Sequence, residues 1–162
     1  MLLLVDANVL IDYAMTDSSI LALVVRHIGP VYVPRDVLDE VAQLDEDACT
    51  SLGLQVVEGS LEQLVEAAAG GGGLSFQDWM CLLLARDGGY VCVTNDRRLL
   101  RACQEAGVQT RRGLRLMLDL VAVGSLEAEV AIEVAEAMGQ MNGWLKPAVV
   151  SEFKRLARLS RQ

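Results

Sequence analysis

The chain has 162 residues, 52% of them hydrophobic and only 4% aromatic, with 14 Lys and Arg against 22 Asp and Glu for a formal charge of −8. This length suits one globular domain with a core of Leu, Val and Ala and argues against a second catalytic domain. The charge argues against a simple basic module held on nucleic acid by phosphate neutralisation. The excess is uneven, however: residues 1–80 hold 13 acids against Arg26 and Arg35, a net of −11, while residues 81–162 carry +3.

Leu2-Leu3-Leu4-Val5 is a continuous apolar run ending at Asp6, the pattern of a strand buried on both faces. Val31-Tyr32-Val33, Leu54-Gln55-Val56-Val57, Val91-Cys92-Val93-Thr94 and Val108-Gln109-Thr110 are further strands of the same kind. Helices are predicted over Ser18 to Ile28, Asp36 to Leu44, Ser60 to Ala69, Ser75 to Asp87, Arg97 to Ala106 and Gly113 to Val123. Strands alternating with helices imply right-handed crossovers, hence a three-layer α/β/α domain around a central parallel sheet of four to five strands. After Gly124 two helices follow without a strand, Leu126 to Met141 and Pro147 to Leu159. The chain therefore divides into a domain, residues 1–123, and a C-terminal helical pair, residues 124–162, packed on it and too small for a core of its own. The run Gly70-Gly71-Gly72-Gly73 follows a helix and precedes no Gly-Lys-Ser/Thr, so it reads as a loop and not as a phosphate cradle.

Cys49, Cys81, Cys92 and Cys103 form no CxxC pair and have only His27 to complement them, which excludes a zinc site. Cys81 and Cys92, within apolar runs, read as small buried hydrophobes, and a reducing cytoplasm is the expected compartment. The opening residues carry no basic region ahead of a long apolar stretch, and no run of about 18 apolar residues occurs, so secretion and membrane spanning are not expected.

Carboxylates carry the chemistry. Asp6 ends the first strand and Asp96 follows the fourth after one residue, and in open parallel sheets reactive groups gather beyond the carboxyl ends of strands. Glu40 and Asp78 fall in the first turns of predicted helices, where they can face the same end. Carboxylates gathered without a basic partner repel, and a divalent cation is the simplest way to hold them together. Oxygen ligands without Cys or His point to magnesium or manganese. Each position also has a local role available to it. Asp78 stands three residues after Ser75, as in a capping box; Asp96 suits the cap of the helix starting at Arg97; acids at Asp36, Asp39 and Glu40 suit a helix dipole. Asp6 fits such a role least, because burying a carboxylate behind an apolar strand is costly without a partner.

Leu4-Val5-Asp6-Ala7-Asn8-Val9-Leu10-Ile11-Asp12, then Val37-Leu38-Asp39-Glu40-Val41, Leu74-Ser75-Phe76-Gln77-Asp78-Trp79 and Val93-Thr94-Asn95-Asp96-Arg97-Arg98-Leu99, occur in the order seen in PIN domains. Over about residues 1–120 the chain resembles that family, the metal-dependent ribonucleases that include VapC-type toxins. The resemblance implies that Asp6, Glu40, Asp78 and Asp96 form an acidic pocket for one or two Mg2+ or Mn2+ ions, with Asn8 and Thr94 as supporting polar residues and Asp12 outside the ligand set. It further implies hydrolysis of RNA phosphodiester bonds by a water that the ion activates, in the toxin component of a type II toxin–antitoxin pair. Many relatives carry another acid shortly after the position of Asp96; here Arg97, Arg98, Leu99 and Leu100 follow.

Arg97, Arg98 and Arg101 are candidates for RNA contact, with Arg111, Arg112 and Arg115 close behind and Lys154, Arg155, Arg158 and Arg161 on the last helix; ordinary solvated helix faces are the competing reading. Trp79 reads as core, and His27 as structural or superficial. Expected partners are the RNA substrate and, on the apolar faces of the C-terminal helices, an antitoxin protein or a second copy of the chain. The alternative function is a catalytically silent PIN-like binding or regulatory module. A dehalogenase-like phosphatase wants Asp-x-Asp where Asn8 stands, and a receiver domain wants a lysine where both Lys146 and Lys154 lie too late.

Overall fold

The computed structural model describes residues 1–143 and 145–160. Arg161, expected among the bases of the last helix, lies outside them. In chain order the elements are β1 (Leu3–Val5), α1 (Ala7–Thr16), α2 (Ser19–His27), β2 (Val31–Pro34), α3 (Arg35–Leu38), α4 (Glu46–Leu52), β3 (Gln55–Val57), α5 (Leu61–Ala69), α6 (Phe76–Gly88), β4 (Val91–Val93), α7 (Arg97–Glu105), β5 (Thr110–Arg111), α8 (Arg115–Ala122), α9 (Ala128–Met141) and α10 (Pro147–Ser160).

The five strands form one parallel sheet in the order β3-β2-β1-β4-β5. Every residue of β1 and β4 is buried, as their unbroken apolar sequence requires of strands covered on both faces. Helices α5, α6 and α7 pack in series, with α6 against β1, β2 and β4, while α2 packs on α4 and α8; helices flanking a single parallel sheet give the three-layer α/β/α architecture. The chain moves outward from β1 to β2 and β3, then crosses back to β4 and β5. The strand order therefore reverses between β1 and β4, and a crevice opens at their carboxyl ends.

Two helical segments differ from the sequence-based expectation. The helix expected over Asp36 to Leu44 ends at Leu38, and turns carry the chain to Asp45. There the Asp45 carboxylate accepts the Ala48 N–H at 2.8 Å and starts α4. Val37, Leu38, Val41 and Leu44 are buried all the same, so their spacing reported burial and not a continuous helix. Arg35 fixes this corner by a bidentate pair with Glu46, both contacts at 3.0 Å. Helix α1, not anticipated as an element, is started by Asp6 and buries Val9, Leu10 and Tyr13 at helical spacing.

The C-terminal pair adds to the same core. Helix α9 packs on α1 and α8, and α10 packs on α8 and α9. Ala131, Ala135, Phe153 and Ala157 are buried in the continuous hydrophobic cluster, so most of the apolar surface considered for a partner is covered within the chain. Gly139 brings the two helices close, since a Cβ there would lie 3.2 Å from Val150. The buried Asp12 accepts a hydrogen bond from the Asn142 side chain, tying α1 to the end of α9. Buried Tyr13 donates its hydroxyl to the Gly113 carbonyl at 2.6 Å. Tyr13→Phe should lower stability by about 1 kcal/mol, checked by chemical denaturation, because Leu116 also donates to that carbonyl and leaves it partly satisfied. No single helix among the described residues is long and apolar enough to cross a membrane.

Candidate functional site

Asp6 is the first residue beyond β1. Its backbone N–H donates to the Val93 carbonyl at 3.1 Å, and its side chain accepts the Val9 N–H at 3.1 Å, so the carboxylate both ends the strand and caps α1. Its second oxygen accepts a hydrogen bond from the hydroxyl of Thr94, which is fully buried at the end of β4. The Thr94 hydroxyl in turn accepts the backbone N–H of Asp96 at 3.1 Å. One continuous relay, Asp96 N–H to Thr94 hydroxyl to Asp6 carboxylate, thus joins the two strand ends where the strand order reverses. Asn8 lies exposed in the first turn of α1, and no hydrogen bond among the described residues joins it to a carboxylate.

Asp6 is only 4% exposed, and burial pushes its carboxyl up to about 6, against the lowering effect of the Thr94 and Val9 hydrogen bonds. The charges of Asp78 and Asp96 push it in the same direction as burial. Burial also raises the Glu40 carboxyl, with Asp78 adding to it. The thiol of Cys81, buried on α6 beneath this group, is raised by burial first and then by Asp6, Asp78 and Glu40. Asp78 thus acts on both Asp6 and Glu40, and Asp96 acts on Asp6.

They do not meet as a closed ligand set. No three His, Cys, Asp or Glu side chains among the described residues are gathered tightly enough to hold a metal ion as they stand. Local capping accounts for part of this. Asp78 and Ser75 form a reciprocal capping box, with Ser75 N–H on the Asp78 carboxylate at 3.2 Å. Asp96 caps α7, one oxygen accepting the N–H groups of Arg98 at 2.8 Å and Leu99 at 3.0 Å. Glu40 sits exposed in the turn after α3, not in the first turn of a helix. Each of Asp78, Asp96 and Glu40 keeps at least one oxygen with no hydrogen-bond donor among the described residues. The donor set is all oxygen and mutually repelling, which is the chemistry of a hard divalent cation site.

A groove of about 1150 Å³ reaches Asp96. Asn8, Asn95 and Asp96 form its margin toward the crevice, and none of Asp6, Glu40 and Asp78 lines it. Asn95 escaped notice in the sequence although it stands inside the Thr94-Asn95-Asp96 motif. Its side-chain oxygen accepts the Gly113 N–H at 3.0 Å and secures the turn between β5 and α8. A Cβ at Gly113 would lie 3.1 Å from Asn95 and 3.2 Å from Val9, so a side chain there would push on both neighbours. Of the three arginines proposed for RNA, Arg97 lines the groove. Arg98 instead donates to the Gly73 carbonyl at 3.3 Å, and Arg101 lies outside the lining. Trp79 is partly buried against the core and donates its indole N–H to Gly71 at 3.1 Å, so with Arg98 it pins the glycine run. His27 is exposed at the end of α2, away from the carboxylates.

A PilT N-terminus domain protein from the hyperthermophilic archaeon Sulfolobus solfataricus P2 has a similar fold, with a TM-score of 0.54 and 14% identity over 78% of this chain and 95% of that one. No match to a curated protein was found. A family model described as DUF3368, a PIN domain, matches residues 2–159 and so takes in the C-terminal helices as well. The chain belongs to the PIN domain family.

Proposed function

We propose that the chain is a metal-dependent endoribonuclease that hydrolyses RNA phosphodiester bonds through Asp6, Glu40, Asp78 and Asp96. PIN domains are generally metal-dependent nucleases. The observation that carries the reading for this chain is the Asp6–Thr94–Asp96 relay at the strand-order reversal, with Asp78 and Glu40 coupled to it by charge. Asp6 and Asp96 are the residues to hold a Mg2+ or Mn2+ ion, with Asp78 and Glu40 completing the oxygen set. When bound, the ion supplies Lewis acidity toward the phosphate and positive charge against the four carboxylates. The chain's own contribution is position. Thr94 fixes the Asp6 carboxylate, the α7 cap fixes Asp96, and the buried surroundings of Asp6 strengthen its attraction for a cation.

The biological setting we propose is a cytoplasmic toxin of a type II toxin–antitoxin pair, a role supported by the likeness of the opening motif to VapC-type proteins. An antitoxin or a second copy would then have to engage apolar positions still exposed, such as Val130, Met141 and Val149. A second reading, a catalytically silent PIN-like module, is favoured by one observation: the acids do not gather as three around a point. Incubating the purified chain with labelled RNA decides between the two. Cleavage that appears with Mn2+ or Mg2+ and disappears with chelator is the expected result; binding of the metal without cleavage of any RNA supports the silent module.

A further inference from the structure

The groove beside Asp96 is cationic in a protein whose overall charge is −8. Arg97 borders it at the start of α7, the β5–α8 side supplies Arg111, Arg112 and Arg115, and Lys146 stands just before α10. Only two carboxylates line it, Asp96 and Glu152. Glu152 is paired with Arg155 at 2.6 Å, and Asp119 is shared by Arg111 at 3.1 Å and Arg115 at 3.2 Å. No ion pair among the described residues engages Arg97, Arg112 or Lys146. Helix α10 supplies the apolar part of the lining, with Val149, Phe153 and Leu156.

We infer that the C-terminal helices form part of the substrate groove, Lys146 and the apolar face of α10 holding, together with Arg97 and Arg112, a single strand of nucleic acid on its way to Asp96. The inference rests on the nuclease reading and assigns the C-terminal helices a part in holding its substrate. A strand of RNA places a phosphate at every nucleotide, which suits Arg97, Arg112 and Lys146, the lining cations that no ion pair among the described residues engages. It can also lay unpaired base faces against the apolar wall of Val149 and Leu156. An A-form duplex keeps its bases stacked inside and presents phosphates and 2′-hydroxyls, which would set charge against Val149 and Leu156. The helical extension is then part of the substrate site and not only a buttress for the fold.

The test uses the full chain and a fluorescein-labelled single-stranded oligouridylate, in chelator so that nothing is cut. Binding is followed by anisotropy over about 50 to 200 mM salt. Arg112→Ala/Lys146→Ala should bind several-fold more weakly, and its plot of log affinity against log salt should be shallower by about 0.7 for each cation lost. Both side chains are exposed, so the variant should melt like the parent. Arg26→Ala/Arg158→Ala, exposed and outside the groove, should keep the parent's slope, and duplex RNA should compete poorly. An unchanged slope in the groove variant, an equal loss in the control, groove-dependent binding of duplex, or no binding by the parent overturns the inference. Cleavage with Mn2+ separates the two ideas. Groove-dependent binding without cleavage leaves the groove's role standing and removes the nuclease; cleavage with unchanged slope and KM in the groove variant does the reverse.

Discussion

Asp6→Asn is expected to abolish RNA cleavage while making the metal-free protein more stable. Asparagine keeps its amide oxygen on the Val9 N–H and fills the same space, and it removes a charge that burial opposes; its NH2 then faces Thr94, whose hydroxyl can accept from it but loses its own acceptor, which offsets part of the gain. The Asp6 carboxyl moves from 3.8 to about 6 on folding, and each pKa unit corresponds to about 1.4 kcal/mol, so the ionised group opposes folding by on the order of 2–3 kcal/mol above that range. The sign follows from proton counts. Between 3.8 and about 6 the folded state binds more protons than the unfolded one, so this group's stabilisation is complete below 3.8 and is lost as pH rises through about 6. Asp12, also raised by burial to about 6, works in the same direction. In chelator at neutral pH, Asp6→Asn should therefore gain about 1–3 kcal/mol by chemical denaturation, with a flatter dependence on pH. Activity should fall by more than about 100-fold, since loss of a ligand exceeds the roughly 10–100-fold effect of losing a supporting partner. A variant that is both less stable and still active would mean that Asp6 serves only the fold.

Asp96 calls for a pair of variants, because its two roles diverge on substitution. Asparagine caps helices about as well as aspartate, whereas alanine forfeits about 1 kcal/mol. If Asp96 acts only as the cap of α7, Asp96→Asn should behave as the parent in every assay and Asp96→Ala should be slightly destabilised. If it also holds the ion, both should lose more than about 100-fold in cleavage, while only Asp96→Ala melts lower. The second pattern is expected. Activity that tracks stability across the pair would assign Asp96 to the helix alone.

The sheet was legible because buried parallel strands have little freedom in sequence: Leu3 to Val5 and Val91 to Val93 are apolar without interruption, and each ends at a polar residue where the chain leaves the core. Helix limits were less so. Val37, Leu38, Val41 and Leu44 are spaced as on a helix, yet a turn buries them equally well once Asp45 starts a new helix. The acids were found from position at strand ends and from order along the chain, and the structure places Asp78 within reach of the charges of Asp6 and Glu40, and Asp96 within reach of Asp6. Their side-chain directions were not legible, because a capping aspartate and a ligating one carry the same sequence signature. Ser75 with Asp78 and Asp96 with Arg98 show both roles written in the same residues. Arg97, Arg111, Arg112 and Arg115 were noticed as bases near the site, but the groove they line was not legible. It requires Arg112 and Lys146, 34 positions apart, to face one space, and only the packing of α10 on α8 brings that about.

The central claim is that these carboxylates hold a divalent cation. Crystals grown with Mn2+ and measured for its anomalous signal address it most directly. The expected result is a peak at the carboxyl ends of β1 and β4, about 2.1 Å from oxygens of Asp6 and Asp96, with Asp78 or Glu40 turned toward it. A map with no peak there, at Mn2+ concentrations that support cleavage, contradicts the account.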